Sequence, residues 1–175
     1  MAKKGQEREE AVTELRELAG GGERVTLVGF HDGKVECEYS IPNGNVRESI
    51  SFPKCADKPG DDFADAFEAL TDHALSIIGL NDTPSWEETA RVTKLHISYD
   101  PKSGRRGYVL TMYQPLEHGG VVLNTPVRQE RLEPTEIGAG FASDELRNTA
   151  STVCAEALAY VRGQREQGEL FKRAG

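Results

Sequence analysis

Residues 35–41 of this chain read VECEYSI, and this short stretch indicates how the protein folds. Apolar side chains occupy every second position from Val35 to Ile41, and polar side chains occupy the positions between them. A β-strand turns successive side chains to opposite faces. The stretch therefore predicts a strand that buries one face and leaves the other face, which carries Glu36 and Glu38, in water.

Two further strands are predicted beside it. Residues 24–30 are rich in Val and Leu, and the Asp32-Gly33 pair that follows is a strong signal for a tight hairpin turn. A second turn at 42–45 leads to residues 46–52, which also place apolar residues on one face. Together the three segments predict an antiparallel three-stranded meander with one wet face.

Helices are predicted where apolar residues recur three and four positions apart. Segment 61–78 has this spacing and is followed by Gly79, a residue type that often ends a helix. A second such segment begins after Ser143, a good N-cap, and continues to Val161. A charged amphipathic segment at 6–19 predicts an additional helix at the N-terminus, which three glycines end.

The order of the elements repeats along the chain, because three more strands are predicted between residues 93 and 127. The predicted order is α-βββα-βββα. This is an α+β fold of two antiparallel three-stranded meanders, each followed by a helix, with the helices packed on one sheet face. We divide the chain into an N-terminal helix with a glycine linker (1–22), a single domain (23–162) and a C-terminal tail (163–175).

The segments 23–80 and 91–162 share this order of elements, but we see no sequence identity between them. Two hypotheses follow. The chain contains either a duplicated βββα unit or two meanders that simply share one core.

The composition is typical of a cytoplasmic globular protein. A length of 175 residues suits one domain, and a formal net charge of −8 argues against a broad nucleic-acid interface, because phosphates would be repelled. No apolar run is long enough for a transmembrane helix, and the polar start does not resemble a signal peptide, so we expect no membrane partner. Three widely spaced cysteines are best explained as free thiols in a reducing compartment.

The sequence contains no motif that is diagnostic of catalysis or cofactor binding, and we expect a protein that is not an enzyme and needs no cofactor. Its four histidines are dispersed, so we expect no metal site, although His73 and His96 could meet in the fold. Glu36 and Glu38 share one strand face, which a solvated sheet surface explains more simply than a proton-transfer site. Cys154 lies on the apolar stripe of the last helix and is predicted to be core.

The strongest functional signal lies in the last residues, at 167–171, which read QGELF inside a locally basic tail. Leu170 and Phe171 are costly to leave in water, since burying each contributes roughly 1.5–3 kcal/mol. The pentapeptide resembles the motif with which bacterial replication and repair proteins bind the DNA sliding clamp. That motif has a glutamine, two variable residues, a leucine and a phenylalanine, often near a chain end.

The resemblance implies a role for each matching residue. Gln167 would hydrogen-bond at the mouth of a pocket on the clamp, and Leu170 and Phe171 would fill its apolar interior. Gly168 departs from the many such motifs that have Leu there, which implies weaker binding. The resemblance covers five residues of the chain, and the alternative interpretation is that Leu170 and Phe171 fold back onto their own domain.

Three functional hypotheses follow. The first is a non-enzymatic accessory or modulator protein of bacterial DNA replication, of a kind frequent in phages and mobile elements, that docks on the clamp through its tail. The second is a self-associating structural or interaction module, a homo-oligomer joined through exposed strand edges or the apolar tail. The third is a single-stranded nucleic-acid-binding protein whose candidate residues are basic or aromatic: Lys102, Arg105, Arg106, Tyr108, Tyr99 and Tyr113.

Overall fold

The computed structural model describes residues 22–55 and 57–163 of the chain. The predicted N-terminal helix at 6–19 and most of the predicted tail lie outside the described residues.

The described residues form one antiparallel sheet and three helices, which confirms the α+β class. The elements in chain order are β1 (Arg24–His31), β2 (Lys34–Asn43), β3 (Val46–Cys55), α1 (Asp61–Ile78), α2 (Pro84–Thr89), β4 (Arg91–Tyr99), β5 (Arg106–Leu116), β6 (Gly119–Asn124), β7 (Arg128–Gln129) and α3 (Asp144–Val161).

Two elements differ from the sequence-based expectation. The polar composition of residues 81–88 predicts a linker, but α2, a short helix that begins with Pro84, forms there, since the fixed φ of proline suits the first helical turn. The strand expected at 121–127 ends at Asn124, as β6, and pairing with β5 resumes only at β7, after the expected end. The break lies beside Pro126, which has no backbone N–H to donate.

The sheet has the strand order β3-β2-β1-β4-β5-β6, and β7 also pairs with β5. Neighbouring strands are antiparallel throughout, including β1 and β4, where Val28 pairs with Leu95 at the centre of the sheet. The β1–β4 pair joins the two groups of strands, so that they share one continuous sheet.

The helices lie on one face of this sheet and cross over between its halves. Helix α1, which follows β3, packs on β4 and β5, whereas α3, which follows β7, packs on β1 and β2. The two helices also pack against each other. The shared core includes Val28 and Leu95, which are completely buried. Because each half contributes a helix to the strands of the other, the two halves form a single hydrophobic core.

Matching positions of the first strands of the two halves carry the same tripeptide, Arg-Val-Thr, at 24–26 in β1 and 91–93 in β4. In both strands the register shifts at the threonine, as in a β-bulge. Thr26 donates its hydroxyl to the carbonyl of Glu38 at 3.2 Å, and Thr93 donates to the carbonyl of Thr111 at 3.3 Å. The expectation that the halves share no sequence identity was therefore wrong.

Helices α1 and α3 match in the same way. Both have 18 residues and both begin with Asp. Counted from that first residue, five buried positions coincide: Phe63 with Leu146, Phe67 with Ala150, Leu70 with Val153, Ala74 with Ala157, and Leu75 with Leu158. The two helices therefore present the same stripe to the core, although only the last two of these pairs are identical residues.

Candidate functional site

The end of α3 is held against the rest of the domain by two side chains, Tyr160 and Arg162. The Tyr160 hydroxyl donates to the carbonyl of Asp57 at 2.8 Å, and its ring meets the ring of Phe52 edge-on, with centroids 6.0 Å apart. Arg162 forms an ion pair with Glu23. Gly163 then has a φ of 91°, a conformation that L side chains rarely adopt, and this glycine follows the end of the helix. The C-terminal tail thus begins at a firmly anchored helix end.

The three residues assigned to clamp docking, Gln167, Leu170 and Phe171, lie outside the described residues. The structure does give the point from which they extend. Gly163 is the last described residue, and three residues, 164–166, separate it from Gln167.

The basic turn predicted to contact nucleic acid is held in place by Asp100. One carboxylate oxygen of Asp100 accepts the backbone N–H groups of Lys102 and Ser103, at 3.0 and 2.7 Å, and the Ser103 hydroxyl at 2.8 Å. The hydrogen bonds from Ser103 hold the pKa of this carboxyl below its ordinary value. The turn consequently carries a fixed negative charge beside its lysine.

Each of the two arginines after this turn is paired with its own glutamate. Arg105 Nη2 lies 2.6 Å from Glu136 Oε1, and Arg106 makes two parallel hydrogen bonds to Glu130, at 3.0 and 2.7 Å. Burial alone would lower the pKa of Arg106, but the hydrogen bonds that Arg106 donates to Glu130, together with nearby negative charge, outweigh it and the pKa is raised. A phosphate would have to displace these charge-assisted pairs before it could use either arginine.

The three tyrosines proposed to bind nucleic acid do not lie on one surface. Tyr108 is completely buried on the helix-covered face of the sheet, beneath the guanidinium of Arg106 at 5.7 Å from the ring centre. Tyr99 is partly buried and donates its hydroxyl to the carbonyl of Val25 at 3.0 Å. Tyr113 follows buried Met112 in β5 and therefore lies on the opposite face. The three rings do not form one stacking platform.

The open face of the sheet carries a charged pair at its centre. Lys94 Nζ lies 2.8 Å from Glu36 Oε1, and the Glu36 side chain lies flat across Gly29. A Cβ atom at Gly29 would come within 2.4 Å of Glu36 Cγ, so the glycine makes room for this arrangement. Tyr113 and Val122 line a shallow cavity of about 210 Å³ beside the pair. Glu36 is thus engaged by a lysine and does not act together with Glu38.

The histidines do not come together. His73 on α1 contacts the hydroxyl of Thr149 on α3 at 3.3 Å, within the helical layer. His96 lies between buried Leu95 and Ile97 in β4, so its side chain faces the open side of the sheet. The two therefore lie on opposite sides of the sheet. Across residues 22–55 and 57–163, no group of three or more His, Cys, Asp or Glu side chains is arranged to hold a metal ion.

Strand β6 is a surface feature that the sequence analysis treated only in general terms. Five of its six residues are exposed, and Val122 retains 62% of its accessible surface. Leu116, opposite the first residue of β6, is also more than half exposed. On the sequence alone residues 121–127 were predicted to form a strand and 117–120 a turn, since periodicity does not indicate which strand of a sheet lies at its edge.

No helix within the described parts of the chain has both the length and the apolar character that a membrane span requires. Comparisons of the chain with protein-family models, with curated proteins and with solved structures found no match.

Proposed function

We propose that this chain is a non-enzymatic accessory or modulator protein of bacterial DNA replication that docks on the sliding clamp. The observation that carries the proposal is the QGELF pentapeptide at 167–171, which combines the glutamine, leucine and phenylalanine of clamp-binding peptides at the required spacing.

The geometry at the end of α3 supports this assignment. Tyr160 and Arg162 attach the end of the helix to the domain. A peptide that follows a fixed point is tethered to the body of the protein, so whatever binds the peptide also recruits the domain. The folded part would then act as cargo, competitor or adaptor at the clamp.

The energetics of such docking would come mainly from two side chains. Burial of Leu170 and Phe171 in an apolar pocket contributes roughly 1.5–3 kcal/mol each, and Gln167 adds a hydrogen bond. A short peptide of this kind reaches an affinity near micromolar, or about −8 kcal/mol. This strength suits reversible recruitment to a ring that offers more than one site.

The decisive experiment measures binding of the full chain to a purified bacterial sliding clamp by titration calorimetry. We expect a Leu170→Ala/Phe171→Ala variant to lose binding by at least tenfold without a change in melting temperature. The matched control is Lys172→Ala/Arg173→Ala, which leaves the motif intact and should retain binding. The proposal fails if the intact chain does not bind, or if the double apolar variant loses several degrees of melting temperature, because the pair would then pack on its own domain.

We also infer that the two halves of the sheet descend from a duplicated βββα unit. The identical Arg-Val-Thr tripeptides, their equivalent bulges and the matching helix stripes support this inference. In an experimentally determined structure, superposition of 24–78 on 91–161 should align both bulges and the five buried helix positions. A bulge found in only one half would contradict a shared origin.

A further inference from the structure

The two edge strands of the sheet differ in how they are protected. Strand β3 carries Arg47, Glu48 and Pro53, and Arg47 reaches across to donate to the carbonyl of Ser40 at 2.9 Å. Charges and prolines on an edge discourage another strand from pairing with it. Strand β6 has the sequence GGVVLN and carries no charge and no proline. The β3 edge of the sheet is therefore protected against pairing with another strand, and the edge formed by β6 is not.

The register of β6 shows which of its backbone groups are free. Pro115 has no N–H and lies opposite Gly120, whereas the N–H of Thr125 donates to the carbonyl of Leu110 at 2.9 Å, one pair beyond Asn124 and Thr111. In an antiparallel ladder, hydrogen-bonded and non-hydrogen-bonded pairs alternate. Both observations give the same alternation, in which Gly120, Val122 and Asn124 direct their N–H and C=O groups away from β5.

No backbone hydrogen bond within the described part of the chain uses this outer side of β6. The next strand, β7, is different, because Gln129 exchanges hydrogen bonds with Gly140 and Ala142 in the following loop. The open groups are thus confined to residues 119–124, which we name the β6 edge. Its side chains are too exposed for another described segment to cover it.

We propose that the β6 edge pairs antiparallel with the β6 edge of a second copy of this chain. A two-fold axis at Val122 would set Val122 opposite its counterpart, and Gly120 opposite Asn124 of the second copy. Each of the three outward-facing residues then meets another that offers the same groups, so the edge is complementary to itself. The sheet continues across the interface, and no side chain of either β6 strand brings a charge into it.

A second copy suits this edge better than an unrelated ligand for two reasons. Main-chain pairing requires an extended partner with the same open pattern of donors and acceptors, and β6 itself has that pattern. In addition, Val122 and Leu116 are apolar and exposed at the same end of the sheet, so pairing would remove apolar surface from water in both copies. This proposal is independent of clamp docking, since it uses no residue of the tail.

Sedimentation equilibrium of the full chain tests the proposal. We expect a mass of two chains for the wild type and of one chain for Val122→Lys, which brings two positive charges face to face. Val122→Pro should give the same result, because it removes an outward N–H that β5 does not use. The matched control is Val46→Lys, which charges an equally exposed valine on the β3 edge and should leave the dimer intact.

Each of the following outcomes would overturn the proposal. The first is a monomeric wild type at all concentrations measured. The second is a dimer that Val46→Lys dissociates and Val122→Lys does not. The third is a dimer that survives both Val122 variants but is lost on deletion of 167–175, since the tail would then hold the copies together. Circular dichroism of each variant distinguishes loss of pairing from loss of folding, and a Val122 variant that keeps its fold and its dimer also refutes the interface.

Discussion

Thr26 and Thr93 make the same hydrogen bond in the two halves of the sheet. Each lies at a bulge in the first strand of its half and donates its hydroxyl to a carbonyl of the second strand, at 3.2 Å for Thr26 and 3.3 Å for Thr93. A bulge leaves one residue without a ladder partner. The two hydroxyls therefore compensate for the local interruption of backbone pairing.

We predict that Thr26→Val and Thr93→Val each lower the free energy of unfolding by about 0.5–1.5 kcal/mol, because the hydrogen bond is lost while the shape is kept. Thr93→Val should lower the free energy of unfolding more than Thr26→Val does, since Thr93 is less exposed than Thr26. The two residues share no hydrogen-bond partner, so the effects should add. Urea denaturation of the two single variants and of the double variant measures these free energies of unfolding. The serine variants, which keep a hydroxyl, are the controls. Valine variants as stable as the wild type would show that the shared bond is incidental.

The hydroxyl of Tyr108 is predicted to add nothing to the stability of the fold. That hydroxyl is buried and has no hydrogen-bond partner among the described residues, a situation that costs about 1–3 kcal/mol. Tyr108→Phe should therefore leave stability unchanged or raise it by about 1 kcal/mol. Tyr99→Phe is the matched control, because the Tyr99 hydroxyl donates to the carbonyl of Val25, and it should be destabilising by about 1 kcal/mol. Equal losses in the two variants would contradict this account.

His73 is predicted to make the fold less stable in mild acid. Burial lowers the pKa of His73 below its ordinary value of 6.5, although Asp72 and Glu145 act in the opposite direction. As the pH falls through 6.5, the unfolded chain takes up a proton at this site before the folded chain does. Neutral His73 therefore contributes stability above pH 6.5. That contribution is lost as the pH falls toward the lower pKa that His73 has in the folded protein.

The measurement is the free energy of unfolding across this pH range, for the wild type and for His73→Gln. We expect the variant to show a shallower decline toward acid. His118→Gln, at a side chain that is 90% exposed, is the control and should retain the decline of the wild type. The assignment fails if His73→Gln has no effect on the slope.

Cys37 and Cys154 are predicted to be unreactive in the folded protein. Burial raises the pKa of each thiol to about 12, so that both thiols stay protonated at pH 8. In a Cys55→Ser variant, iodoacetamide should label neither residue until denaturant is added, and mass spectrometry of the adducts reports both sites. Rapid labelling of either cysteine in the native protein would show that α3 opens readily from the sheet.

Much of the fold could be predicted from local patterns. The alternation at 35–41 identified β2, and the apolar spacing identified α1 and α3 over nearly their full lengths. These predictions were confirmed because periods of two and 3.6 residues are properties of the backbone itself. Ser143 also caps α3 as expected, accepting the N–H of Leu146 at 3.1 Å. The repeated Arg-Val-Thr does not by itself predict related halves, since three identical residues acquire meaning only from their shared bulge.

The sequence by itself thus determined the class of the fold, its two long helices α1 and α3 and most of its strands, together with the tail motif that motivates the functional proposal. The tertiary structure alone decided that β1 pairs with β4, that Tyr108 is buried while Tyr113 is not, and that Glu130 neutralises Arg106. Those outcomes depend on groups far apart in the chain. Their pairing follows from how whole strands and helices pack, and no local period encodes it.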